Sequence, residues 1–153
     1  MPKVEFKEGF PDVANLIPGS CIVLDDLQAS LTKDTYKQLV RMFTVDSHHT
    51  PFTLIYIIQT LFDNRDEMRT IARNCQYLTL MRGPRMEGTV ETFAQQAFRR
   101  KNGFLLDAYE KATTGKRFSY LFINMHPSET DPKLKVMTNI LPSEYPTHVF
   151  LPV

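Results

Sequence analysis

Apolar residues along this chain fall in short dense runs separated by stretches with a helical period. Cys21-Ile22-Val23-Leu24 is the first run, and its β-branched pair predicts a short buried strand. Asp25 and Asp26 follow at once, where that strand should leave its sheet. Over 31–43, Tyr36, Leu39, Val40 and Phe43 recur at i, i+3, i+4 and i+7, which predicts a helix with one apolar face and a Ser30 or Thr32 cap. A polar loop leads to Phe52–Ile58, whose single polar member is Thr53, and this composition predicts a central strand covered on both faces. Strand, helix and strand in that order imply a parallel pair with a right-handed crossover.

The pattern continues to the end of the chain. Met68, Ile71, Ala72 and Cys75 mark one side of a helix over 64–75, and Tyr77–Met81 is a third strand. Helices are predicted over 90–99 and 103–113, a fourth strand over 118–123 and a fifth over 134–140. The runs at 21–24, 52–58, 77–81 and 118–123 are thus expected as neighbours in one mostly parallel sheet with helices on both faces, a three-layer α/β sandwich. Residues 1–20, with an alternating Lys3–Lys7 stretch and a Pro18-Gly19 turn, form an N-terminal arm before an α/β domain over 21–140. The proline-rich tail over 141–153 is expected as a strap or extended arm.

Three polar groups stand at predicted strand ends: Asp25, Asp26 and Gln59. In an open parallel sheet the carboxyl ends of the strands are where ligands bind, and an acid there can hold a divalent ion on nucleotide phosphates. Helix capping by one Asp and hydration of the other is the plainer alternative. Arg65, Arg69 and Arg73 form one basic stripe at i, i+4 and i+8, either a nucleic-acid contact or a solvated face neutralised by nearby acids. Arg82 and Arg85 bracket a Gly-Pro turn and present two guanidiniums at a strand's end, suited to phosphate or to surface ion pairing. Arg99, Arg100 and Lys101 add a charge run.

Composition narrows the classes. With 42% hydrophobic and 23% charged residues, the 153-residue chain has the makeup of a folded globular protein. Its formal net charge of +1 gives no overall pull toward a polyanion, yet 65–117 holds eleven Lys or Arg against six Asp or Glu. Cys21 and Cys75 lie in apolar contexts without metal-ligand spacing and are expected as buried thiols in a reducing, intracellular compartment, nucleus or cytoplasm. No apolar stretch is long enough for a membrane span, and the N-terminus lacks a signal-peptide pattern.

Taken together, Asp25-Asp26, Ser47-His48-His49 and Ile55–Phe62 resemble the packaging ATPases of double-stranded DNA viruses and related self-synthesising DNA transposons, members of the ring-forming DNA-pumping P-loop ATPases. The likeness continues through Arg69–Asn74, Tyr77–Arg85, Asp107–Thr113, Tyr120–Asn124 and Thr138–Ile140, and spans roughly residues 11–142. It implies a P-loop-NTPase-like fold, with Asp25 as the magnesium-side acid and Asp26 as the neighbour that orients the attacking water. Gln59 would be the phosphate sensor, and Arg82 or Arg85 the residue offered to a neighbouring subunit's nucleotide. His48 and His49 lie in the loop that marks this subset; without cysteine partners they are not expected to bind zinc.

The chain also departs from that family. No G-x-x-x-x-G-K-[S/T] occurs, Thr50 stands where relatives usually carry a basic residue, and Asn124 stands where an acid is common. The phosphate cradle supplies most nucleotide contacts in such enzymes, so Mg and ATP are implied only if a P-loop is supplied upstream. The leading expectation is a non-catalytic scaffold or adaptor derived from such an ATPase. It would act as a homodimer or on a host or viral protein, because a truncated sheet leaves an edge to be covered. The alternatives are a C-terminal fragment of the packaging translocase and a module that binds DNA through Arg65, Arg69, Arg73, Arg99, Arg100 and Lys101.

Overall fold

The computed structural model describes residues 4–61, 66–83, 86–98, 102–115 and 117–152, which divide into two compact units, Met1–Asn74 and Cys75–Val153. The first unit runs β1 (Ser20–Asp25), α1 (Lys33–Arg41), β2 (Phe52–Ile57) and α3 (Asp66–Asn74), with the short helical turn α2 (Ser47–His49) ahead of β2. Thr32 caps α1, its hydroxyl accepting from the Thr35 amide at 3.3 Å. The helix then widens into a π-helical stretch over Met42–Asp46 before α2. Gly19 takes φ +82° in the turn that Pro18-Gly19 predicts, a conformation that costs glycine little. Residues 4–7 form no edge strand, and Phe6 lies open to solvent.

The β-α-β unit forms as its pattern implies. β1 and β2 are parallel, in register from Ser20 opposite Phe52 to Asp25 opposite Ile57. Tyr36 and Leu39 from α1 and Met68 and Ile71 from α3 pack with Leu24, and Ile22, Leu54 and Tyr56 join the same cluster. The expectation that β2 is covered on both faces is corrected, because burial along both strands alternates with period two. Val23, Ile55 and Ile57 point outward and are 54%, 44% and 49% exposed.

The second unit runs β3 (Tyr77–Met81), α4 (Met86–Phe98), α5 (Asn102–Thr113), β4 (Tyr120–Asn124), β5 (Val136–Thr138) and β6 (His148–Val149). Its four strands lie in sequence order and every pairing is antiparallel. This overturns the three-layer, mostly parallel, P-loop-NTPase-like sheet: the described residues form a two-stranded parallel sheet and a separate four-stranded antiparallel one.

The reason lies between β3 and β4. One crossover helix returns the chain to the end where the preceding strand began and yields a parallel neighbour. Two consecutive helices packed on each other, as α4 and α5 are, leave it at the opposite end, and the next strand must run back. Leu121 and Ile123 of β4 are fully buried, as are Val90, Ala94, Leu105 and Ala108 of the helices, so this unit also has its own core. The tail is not a loose arm throughout, since its residues His148–Val149 extend the sheet beside β5. Among the described residues, no helix is long and apolar enough to cross a membrane.

Candidate functional site

The carboxyl ends of β1 and β2 gather the polar groups that the sequence placed at strand ends. Parallel pairing brings both ends to one edge, and Gln59 Nε2 donates to Asp26 Oδ1 at 3.0 Å. A second stitch joins the same two loops, Gln28 Nε2 donating to the Thr60 carbonyl at 2.9 Å. The Tyr36 hydroxyl donates to the Gln28 carbonyl at 3.0 Å and so ties α1 to that loop. Gln28 and Tyr36 were not among the expected site residues. The signal was present in Gln28, a polar residue two positions after Asp26 in the same loop, whereas Tyr36 appeared only as a core residue.

Asp25 and Asp26 leave the strand differently. Asp25 continues the outward-facing row of Val23 and is exposed. Asp26 breaks from the strand with φ +51°, a left-handed conformation that Asp tolerates better than most side chains, and its amide still reaches the Ile57 carbonyl. Asp26 therefore acts as the turn residue and as acceptor for Gln59. Replacing it with glycine relaxes the backbone and loses one exposed hydrogen bond. We expect Asp26→Gly to shift unfolding stability by less than ~1 kcal/mol in urea titration, a small effect for so central a position.

The other expected site residues disperse. His48 and His49 are exposed on α2, and no group of three or more His, Cys, Asp or Glu suited to a metal ion occurs among the described residues. Arg69 pairs with Asp66 at 3.2 Å, both side chains well exposed, the neutralised arrangement that the stripe's plainer reading anticipates. Arg73 is exposed in the last turn of α3. Arg82 turns onto the C-terminal end of α5, where its guanidinium donates to the Thr113 carbonyl at 3.3 Å and the Thr114 hydroxyl at 3.4 Å. A cation at helix-terminal carbonyls is a structural arrangement. Arg65, Arg85, Arg99, Arg100 and Lys101 lie outside the described residues.

The two thiols also separate. Cys21 is exposed on the outward row of β1, which corrects its expected burial, while burial pushes the Cys75 thiol up to about 11. Cys75 thus remains protonated at neutral pH and is a poor nucleophile.

Compared with known proteins, the chain matches no family model, no curated protein and no solved structure.

Proposed function

We propose that this chain works through protein association, as a non-catalytic scaffold or adaptor related to the DNA-packaging ATPases of viruses and transposons, with a second copy as its first partner. The observation that supports this reading is the outward row of the parallel pair, where Val23, Ile55 and Ile57 stand about half exposed. Parallel strands are normally covered on both faces, and a two-stranded sheet is marginal in water without such cover. Three aliphatic side chains in neighbouring register positions make an apolar surface, extended by Cys21 and Thr53 at one end and bounded at the other by Asp25, opposite Ile57. A specific interface of ~1,000 Å² or more over that surface would contribute several kcal/mol after the entropic costs of association.

Sedimentation of the chain at low micromolar concentration in moderate salt tests the reading. A dimer is expected, and a clean monomer throughout would refute self-association.

The contact of Asp26 with Gln59 favours a second reading, a portion of an ATP-dependent DNA-packaging translocase. In that reading the two residues form half of a nucleotide site and a phosphate-binding loop comes from elsewhere. Because the cradle motif is absent from these residues, we expect phosphate release from millimolar Mg-ATP to stay at background. Turnover that disappears in Asp25→Asn and Asp26→Asn would instead establish a working site in this chain.

A further inference from the structure

The second unit holds a cavity of about 320 Å³ between the turn that enters β4 and the link from β5 to β6. Arg117, Phe118, Asn139, Ser143, Tyr145 and His148 are among its lining residues. Two large rings at this cavity face water, Phe118 being 82% and Tyr145 91% exposed. Rings of that size normally bury most of their area, so two exposed rings at one polar cavity mark a surface suited to a ligand.

Phe118 is also held at φ +60°, a left-handed conformation that is an outlier for a bulky side chain. Such a position costs of order 1 kcal/mol or more, and a ring open to solvent returns little of that through packing. Asn139, across the cavity, is likewise left-handed at φ +57°, its side-chain amide donating to the Pro146 carbonyl at 3.4 Å.

The charges at the cavity are unequally engaged. Glu144 is held by the fold, its Oε2 accepting from the Tyr120 hydroxyl and from the Leu141 amide, and it keeps its charge. Burial, and then the bond to Glu144, raise the Tyr120 phenol and keep it a donor. Arg117 has no ion pair among the described residues, so its guanidinium beside Phe118 is available to an anion.

We infer that this cavity binds an unstacked nucleobase together with its phosphate. The base would stack on Phe118 and Tyr145, and the phosphate would meet Arg117. Base faces stack on aromatic side chains whatever the sequence, and a neighbouring guanidinium adds charge recognition. Asn139, Ser143 and His148 offer hydrogen-bonding groups for base edges. Bases inside a duplex are already stacked, so the site selects single strands or free nucleotides over duplex. A proline-rich peptide could also stack on the rings, but it would leave the guanidinium without an anionic partner.

The test uses the full chain and a fluorescein-labelled oligothymidylate of about ten nucleotides, followed by anisotropy between about 50 and 200 mM salt. We expect Phe118→Ala and Tyr145→Ala each to weaken binding roughly tenfold or more. Arg117→Ala should lower the salt slope by about 0.7, the loss of one single-strand phosphate contact. Phe118→Gly should lose binding as Phe118→Ala does without lowering the thermal midpoint, because glycine accepts the left-handed backbone; this separates a binding defect from a folding one. Displacement by thymidine monophosphate would identify a free nucleotide as the source, and retention against it would identify a strand. Either outcome supports the site. The inference is overturned if the oligonucleotide fails to bind up to ~100 μM, if duplex binds equally well, if the aromatic variants bind like the parent, or if a proline-rich peptide occupies the cavity instead.

Discussion

Leu39→Ala should lower the free energy of unfolding by about 3 kcal/mol, read as a fall in the urea midpoint without a change in slope. Leu39 is wholly buried on α1 and packs in the cluster of Leu24, Tyr36, Met68 and Ile71. Truncation loses the transfer energy of the removed methyl groups and leaves a void that these neighbours can fill only in part. Leu39→Met, which nearly conserves volume, should cost less than ~1.5 kcal/mol. The contrast matters because, among the described residues of the first unit, the helices pack on one face of the parallel pair. If Leu39→Ala costs no more than Leu39→Met, this cluster does not hold the first unit together.

Ile55→Lys should weaken self-association by roughly 100-fold or more, turning a low-micromolar dimer into a monomer in sedimentation. The side chain lies on the outward row beside Val23, its register partner, so an ammonium placed there would have to be desolvated in any interface covering the row, a cost that the Asp25 carboxylate at the end of that row would offset only in part. The same substitution should cost the isolated chain little, since Ile55 is already 44% exposed. Cys21, exposed on the same face, gives an independent readout. Its alkylation should slow as protein concentration rises in the parent chain, and should be independent of concentration in the variant. A dimer that survives Ile55→Lys with Cys21 still accessible would place the interface elsewhere.

Local patterns made much of the secondary structure legible. The i, i+3, i+4 spacing of Tyr36, Leu39 and Val40 located α1, and the dense run at Tyr77–Met81 located β3. The strand at 118–123 was displaced toward its C-terminus, beginning at Tyr120, because the left-handed backbone at Phe118 cannot join a ladder. Sheet topology was misjudged although its signal was present: two helices are predicted between the strands at 77–81 and 118–123, and that even number already implies an antiparallel return. The apolar run at 52–58 concealed alternation, since Ile55 and Ile57 are aliphatic but face outward. At the candidate site, adjacency of Asp26 and Gln59 followed from parallel pairing alone. The cavity beside Phe118 could not be foreseen, since it depends on a link whose shape no periodicity encodes.

The π-helical stretch over Met42–Asp46 has an evolutionary consequence. A wide turn of this kind holds one residue more than a regular helix needs, and such bulges arise most simply by a single-residue insertion. Deleting Thr44 would restore ordinary winding while leaving α1 and its buried face upstream undisturbed. Downstream, the direction of His48 and His49 about the helix axis would be kept, because the wide turn absorbs the extra residue locally, whereas the same deletion in a regular turn would rotate everything beyond it by about 100°. The segment therefore offers lineages of this chain a place where a one-codon gain or loss is taken up in the winding of the helix, with the exposed histidine pair keeping its direction.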